Sequence, residues 1–300
     1  MDFATLATCF SSPACLVTQA TGGLIIGMLL FLVAAGLTLI FGVLKVVNFA
    51  HGSFYMLGAY FALTIFQLTG SYTLTILGAG MATAIVGLVF ERLFISRVYG
   101  QNVLMQLLVC YGFVLIFDDV VKIVWGPEFK SMGMPATFQV PPLFIAGGVV
   151  PPFYLFVVGI AFVIGLALWL LIDRTRLGKT IRAAAYNPNM VAALGINTGY
   201  LYGFVFALGG LLAGFAGALA APVRSLTPGM GFSVLIESFI VTVIGGMGSI
   251  AGAFVAALAI GLIRAFGSLG FPLFTDGLMY LFMVLVLIAR PTGLFGKEIA

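Results

Sequence analysis

From Thr21 onward the chain is a succession of apolar runs, each unbroken for about 20 residues and separated by short clusters of charge, glycine or proline. A hydrocarbon core about 30 Å thick needs around 20 apolar residues per crossing helix. Helices bonded internally and closed β-barrels are the only ways to span lipid. A barrel would show short alternating segments instead. The runs predict spans at about 22–44, 50–69, 73–94, 103–124, 152–172, 199–221, 249–267 and 274–290. A ninth, shorter segment covers 232–244, and as a helix it would rise only about 20 Å, so it is expected to stop within the bilayer. The expected fold is an all-α integral-membrane protein: one polytopic bundle of about eight to nine spans, a single transmembrane domain over residues 1–300.

Two places break this regularity. Lys45-Val46-Val47-Asn48-Phe49-Ala50-His51-Gly52-Ser53 interrupts the first pair of spans, and Gly245-Gly246-Met247-Gly248-Ser249 follows the short segment. A continuous helix tolerates such glycine density poorly. Each break introduces a helix that opens on small residues, Ser53 to Ala59 and Ser249 to Ala253. Paired interruptions in two halves point to a weak internal repeat and to a transport pathway.

Composition narrows the class. The chain is 62% hydrophobic and 7% charged, far from the roughly one-quarter charged residues of a soluble domain. No Lys or Arg precedes Thr21, so no cleaved signal peptide is expected. Four of the 13 basic residues, Arg174, Arg176, Lys179 and Arg182, form one island. Lys and Arg near span ends accumulate on the cytoplasmic side. That rule places Arg92, Arg97, the island, Arg290 and Lys297 inside, with Lys45 joining them, and leaves Lys122, Lys130 and Arg224 outside. The alternation then closes with the N-terminus outside, the C-terminus inside and 125–151 as the long external loop. With the cations at span ends, the net charge of +4 gives no reason to expect a nucleic-acid partner.

Gly178-Lys179-Thr180 resembles the tail of a phosphate-cradling loop, but Asp173 stands where that pattern requires glycine. A basic loop at a membrane end is the expected reading, and no ATP hydrolysis is expected from this chain. Beyond it, Asn187-Pro188-Asn189-Met190-Val191-Ala192-Ala193-Leu194-Gly195 specifies a short helix: Asn as N-cap, Pro in the first turn, Gly past the end. So short a helix gains little stability alone. Its Met190, Val191 and Leu194 face must pack either on headgroups and its own bundle or on a cytosolic subunit.

Asn48-Phe49-Ala50-His51-Gly52, the Arg174–Arg182 island, Leu194-Gly195-Ile196-Asn197 and Gly245-Gly246-Met247-Gly248-Ser249 together resemble one family, over about Gly22 to Gly296. It is the permease subunit, of the first permease type, of high-affinity branched-chain amino-acid ABC importers. Relatives in that family also import urea, short amides and aromatic acids. The resemblance implies a second homologous permease, two cytosolic ATPases that use the ATP, an extracytoplasmic solute-binding protein and a bacterial inner-membrane location. It also implies that about 173–198 is the ATPase-coupling loop, with Arg174, Arg176, Lys179, Arg182, Asn187, Pro188, Met190, Leu194 and Gly195 as its working residues. No cofactor is expected on this chain.

The remaining polar residues leave alternatives. Asn48 and His51, the single histidine, either satisfy broken backbone bonds or line the path with Gly245 and Gly246. Glu237, in the short segment, either lines the path or contacts another subunit. Asp118 and Asp119 lie one turn from Lys122 and are expected to form an interfacial ion pair. Gly210 to Gly214 and Gly248 to Gly252 permit close helix approach, expected within the chain. Cys110 is expected to be a packing residue, and Cys9 and Cys15 either bridge outside the membrane or remain free thiols. A self-sufficient secondary transporter or channel would need mid-membrane carboxylates, for which Glu237 is the one good candidate. An intramembrane enzyme would need a convergent polar cluster that the sequence does not offer.

Overall fold

The computed structural model describes residues 3–296; Lys297, counted above among the inward cations, lies outside them. Twelve α-helices follow in order: α1 (Phe3–Ser11), α2 (Pro13–Leu44), α3 (His51–Thr69), α4 (Tyr72–Leu93), α5 (Val103–Trp125), α6 (Pro152–Arg174), α7 (Arg176–Tyr186), α8 (Pro188–Ala193), α9 (Thr198–Ala220), α10 (Met230–Gly245), α11 (Ile250–Gly270) and α12 (Thr275–Ala289). Six helical stretches, α2, α4, α6, α9, α11 and α12 taken together with the 3-10 turn Pro272–Phe274 before it, are long and apolar enough to cross a membrane. The fold is therefore an all-α membrane protein. The ninth apolar segment is α10, 16 residues rather than 13, with Gly246 in a left-handed conformation (φ 94°) at its end.

The main departure from the expected spans is the start of the first. It begins at Pro13 instead of residue 22, capped by Ser12, whose hydroxyl accepts from Cys15 N. Thr18 and Thr21 would seem to delay a span. Their hydroxyls instead donate to the carbonyls of Ala14 (2.9 Å) and Val17 (2.8 Å), so neither exposes a bare polar group. Before it, α1 and α2 are stapled by a Cys9–Cys15 disulfide with a Cα–Cα distance of 5.2 Å. The 125–151 loop, expected outside, is also ordered: Leu143–Ile145 pairs antiparallel with Gly148–Val150.

Helices α2, α3, α4, α9 and α11 make the centre, and glycine sets their spacing. A Cβ on Gly58 of α3 would fall 2.5 Å from Gly214 Cα of α9, so the two backbones touch. On α4 the opposing positions are Gly80 and Thr83, which face Gly214 and Gly210. The Gly210–Gly214 stripe is thus consumed inside the chain, as expected. Gly248–Gly252 is too, because a Cβ on Gly252 would strike the Gly245 backbone. Beside these seams lies an aromatic knot that hydrophobicity alone does not announce. Phe54, Phe90, Phe113, Phe117 and Phe206 pack edge to face or tilted with centroids 4.7–6.0 Å apart, joining α3, α4, α5 and α9. Cys110 is fully buried, as a packing residue should be.

The bundle has two chemically distinct ends. At one, Arg92 lies 4.7 Å from the Tyr200 ring, and α7 abuts the ends of α2 and α6 and the start of α11. The chain's last described residues pair with the end of α10 there as well. At the other end, Lys130 and Leu226 form an isolated bridge and Val149 N donates to Thr18 Oγ1 (3.0 Å). The island and the C-terminal residues therefore share one end, opposite the 125–151 loop.

Candidate functional site

The first interruption is not a simple turn. Lys45 caps α2 in a left-handed conformation (φ 55°), and the chain then runs back alongside α2 through residues 46–50 before α3 begins. His51, the first residue of α3, lies 3.1 Å from the Val33 carbonyl through Nε2. A carbonyl only accepts, so Nε2 carries the proton. Val33 precedes the end of α2 by enough residues to stand about 16 Å above it. Helix α3 therefore starts deep within the bundle. Asn48 Oδ1 accepts from Ala50 N (3.1 Å), closing the bend locally. Both side chains are 0% exposed. Asn48 thus satisfies the broken backbone, whereas His51 reaches a carbonyl inside the unbroken α2, and Asn48 Nδ2 and His51 Nδ1 lack partners among the described residues.

Helix α10 packs its first turn against this bend: a Cβ on Gly52 would lie 2.1 Å from the Gly231 carbonyl oxygen. Two turns on, Glu237 is buried and forms an ion pair with Arg264 of α11. The sequence reading named Glu237 but gave Arg264 no role; its signal was an arginine inside an apolar run with one buried carboxylate available to match it. Asp118 and Asp119 separate. Asp119 pairs with Lys122 at 2.8 Å, while Asp118 turns to the Gly229 backbone. The expected ion pair thus forms through one carboxylate only.

Gly245 and Gly246 end α10 by an unforeseen device. The four last carbonyls of a helix need outside donors. Here Leu294 N donates to Ile244 O (2.8 Å) and Phe295 N to Gly245 O (3.1 Å), so the C-terminal strand of chain closes the helix. Gly246 and Gly293, both with positive φ, allow the two backbones to meet, since a Cβ on Gly246 would sit 2.4 Å from Gly296 N. Gly245 and Gly246 are both buried beside this strap. Ser249 then caps α11, its hydroxyl accepting from Gly252 N (3.1 Å).

The island is not a loop. Thr175 accepts from Gly178 N (3.0 Å) and starts α7, which lies on the end of α6 because glycine at 178 lets the Ile172 carbonyl approach. Gly178 N is therefore spent on a helix cap and cradles no phosphate. Arg182 stays exposed but reaches across to α6: its guanidinium donates to Asp173 Oδ1 (2.7 Å) and to the Ile172 carbonyl, latching α7 to α6. Arg174 lies 5.9 Å from the Trp169 ring, and Arg176 and Lys179 are exposed. The short helix forms as its residues require. Asn187 Oδ1 accepts from Met190 N (3.0 Å), Pro188 is the first helical residue and Gly195 has φ 81°. Its apolar face divides. Val191 is buried against the bundle, whereas Tyr186, Met190 and Leu194 are 91%, 66% and 76% exposed. Between this ledge and the α10–α11 break is a cavity of about 340 Å³ lined by Thr38, Gly42, Trp169, Asp173, Arg182 and Ser249.

The chain is 32% identical over 292 residues to the high-affinity branched-chain amino acid transport system permease protein BraD of Pseudomonas aeruginosa, covering 93% of this chain and 95% of that protein. It is 29% identical over 296 residues to the LivH permease protein of the same description from Escherichia coli, with 93% and 95% covered. To the probable branched-chain amino acid transport permease protein LivH of Methanocaldococcus jannaschii it is 30% identical over 297 residues, covering 92% and 91%. No solved structure matches. The family model described as branched-chain amino acid transport system / permease component matches residues 19–287, and the chain belongs to that family.

Proposed function

We infer that this chain is one of two homologous permease subunits of an ATP-driven importer in a bacterial inner membrane, with a branched-chain amino acid as its solute. The observation that carries this reading is the α7–α8 ledge. It sets three exposed apolar side chains, Tyr186, Met190 and Leu194, on the basic end of the bundle and braces them with the Arg182–Asp173 latch. A lipid-facing helix would have no need of such a brace. A cytosolic ATPase docking there would push on α7, and the adjacent cavity and α10–α11 break would transmit the displacement to the helices. ATP would be bound and split in two partner ATPases; this chain performs no reaction. An extracytoplasmic binding protein would deliver solute to the opposite end. Nine crossings, the six long helices plus α3, α5 and α10, carry the chain from an external N-terminus to an internal C-terminus as a single permease domain. The competing secondary-transporter reading loses support because Glu237, its coupling carboxylate, is matched by Arg264 within the chain. A cysteine at Met190 should crosslink to the ATPase subunit in native membranes, and the crosslink should weaken when nucleotide is added. No crosslink from 190, 194 or 186 would overturn the docking surface.

A further inference from the structure

Glu237 and Arg264 meet inside the bundle. Glu237 stands about 12 Å from the end of α10 at helical rise, level with the middle of a bilayer, and its side chain is 9% exposed against 27% for Arg264. The pairing is electrostatically matched but incomplete in hydrogen bonds. Arg264 Nη1 is taken up by Glu237 Oε1, but Glu237 Oε2 is buried with no hydrogen-bond partner among the described residues, and so is the hydroxyl of the neighbouring Ser238. The pair is not isolated. Tyr55 of α3 is 2% exposed; its hydroxyl bonds to Arg224, and both Arg224 and Glu237 act on it electrostatically. Arg224, from the segment between α9 and α10, and Glu237, paired with Arg264, thus both act on one buried tyrosine.

A buried ion pair is poor value as a fastener, since apolar residues of the same volume hold helices as well or better. One that leaves a carboxylate oxygen unmet is poorer still. An unmet carboxylate oxygen and an unmet hydroxyl on adjacent residues, buried where charge is costly, describe a site that a ligand completes. A carboxylate accepts two parallel bonds from a guanidinium fork, and an ammonium answers a carboxylate. Urea and simple amides carry neither charge. We propose that Arg264 receives the carboxylate of the passing solute while Glu237 receives its ammonium, so that the pair opens for an amino-acid zwitterion and closes behind it. This rests on the importer reading above and adds the residues that select the solute class.

The test uses the importer purified with its partner subunits, reconstituted in proteoliposomes, with radiolabelled leucine as probe. Assembly is read separately, by copurification of the ATPases. In R264K the charge and the pair survive but the fork is lost; leucine uptake should fall at least tenfold in assembled complex. In the exchange variant E237R/R264E the pair is rebuilt with its charges reversed, and uptake should remain at least tenfold down. Uptake within twofold of wild type in either variant would reduce the pair to a helix staple and overturn the proposal. So would loss of assembly in both. Wild-type importer that carries urea or acetamide but not leucine would instead overturn the amino-acid reading itself, and the proposal with it.

Discussion

At the residue scale, the positions that matter most are those where backbone meets backbone. Gly246 is the clearest. It has φ 94° and would drive a Cβ to 2.4 Å from Gly296 N. Leucine there combines left-handed strain of about 1–3 kcal/mol with a displaced strap. Gly87 is also a helical glycine in a span, yet a Cβ there meets nothing nearer than 3.5 Å. Gly246→Leu is therefore expected to abolish most uptake, while Gly87→Leu retains at least half, both measured at equal membrane abundance. Equal losses would mean that the α10 end is no more demanding than any packed seam. The sequence pointed to Gly246 as a break, but not to what fills it. Nothing in residues 290–296 advertises that two of their amides serve a helix some fifty residues earlier.

At the scale of the element, helix ends were the most legible feature of the chain. Asn187, Pro188 and Gly195 each encode a local conformation that needs no knowledge of the rest of the molecule, and each adopts it. The long-range features were not legible. Arg264 meets Glu237 across two helices, and Arg182, expected to flank a docking helix, spends its charge on Asp173. Span starts fell between these cases: Thr18 and Thr21 look polar in sequence but are satisfied within their own helix. The cap on α8 gives a separable prediction. Asn187→Ala removes a bond worth about 1 kcal/mol, too little to unfold the bundle but enough to fray one short helix. Uptake should fall several-fold with normal membrane abundance, and Asn187→Ser or Asn187→Asp should restore it. If alanine is silent, α8 does not need its own order to work.

At the scale of the molecule, charge and connectivity agree on two ends. Ser131 and Asn189 are exposed at opposite ones. An introduced thiol at Ser131 should react with a membrane-impermeant maleimide added outside intact cells, and one at Asn189 only after permeabilisation. The reverse pattern would mean that the return of the chain through residues 46–50, or the short α10, changes the number of crossings. The disulfide between Cys9 and Cys15 fits this polarity, since it would lie on the oxidising side.

The strap formed by Leu294 and Phe295 also sets an order of events during synthesis. Chains are made and inserted from the N-terminus, so α10 enters the membrane long before the two amides that close it exist. Through the emergence of α11 and α12 its last carbonyls must be held by something else, whether water or the insertion machinery. Only the emergence of Leu294 and Phe295 lets the helix finish. A nascent chain that has not yet reached them leaves the end of α10 open.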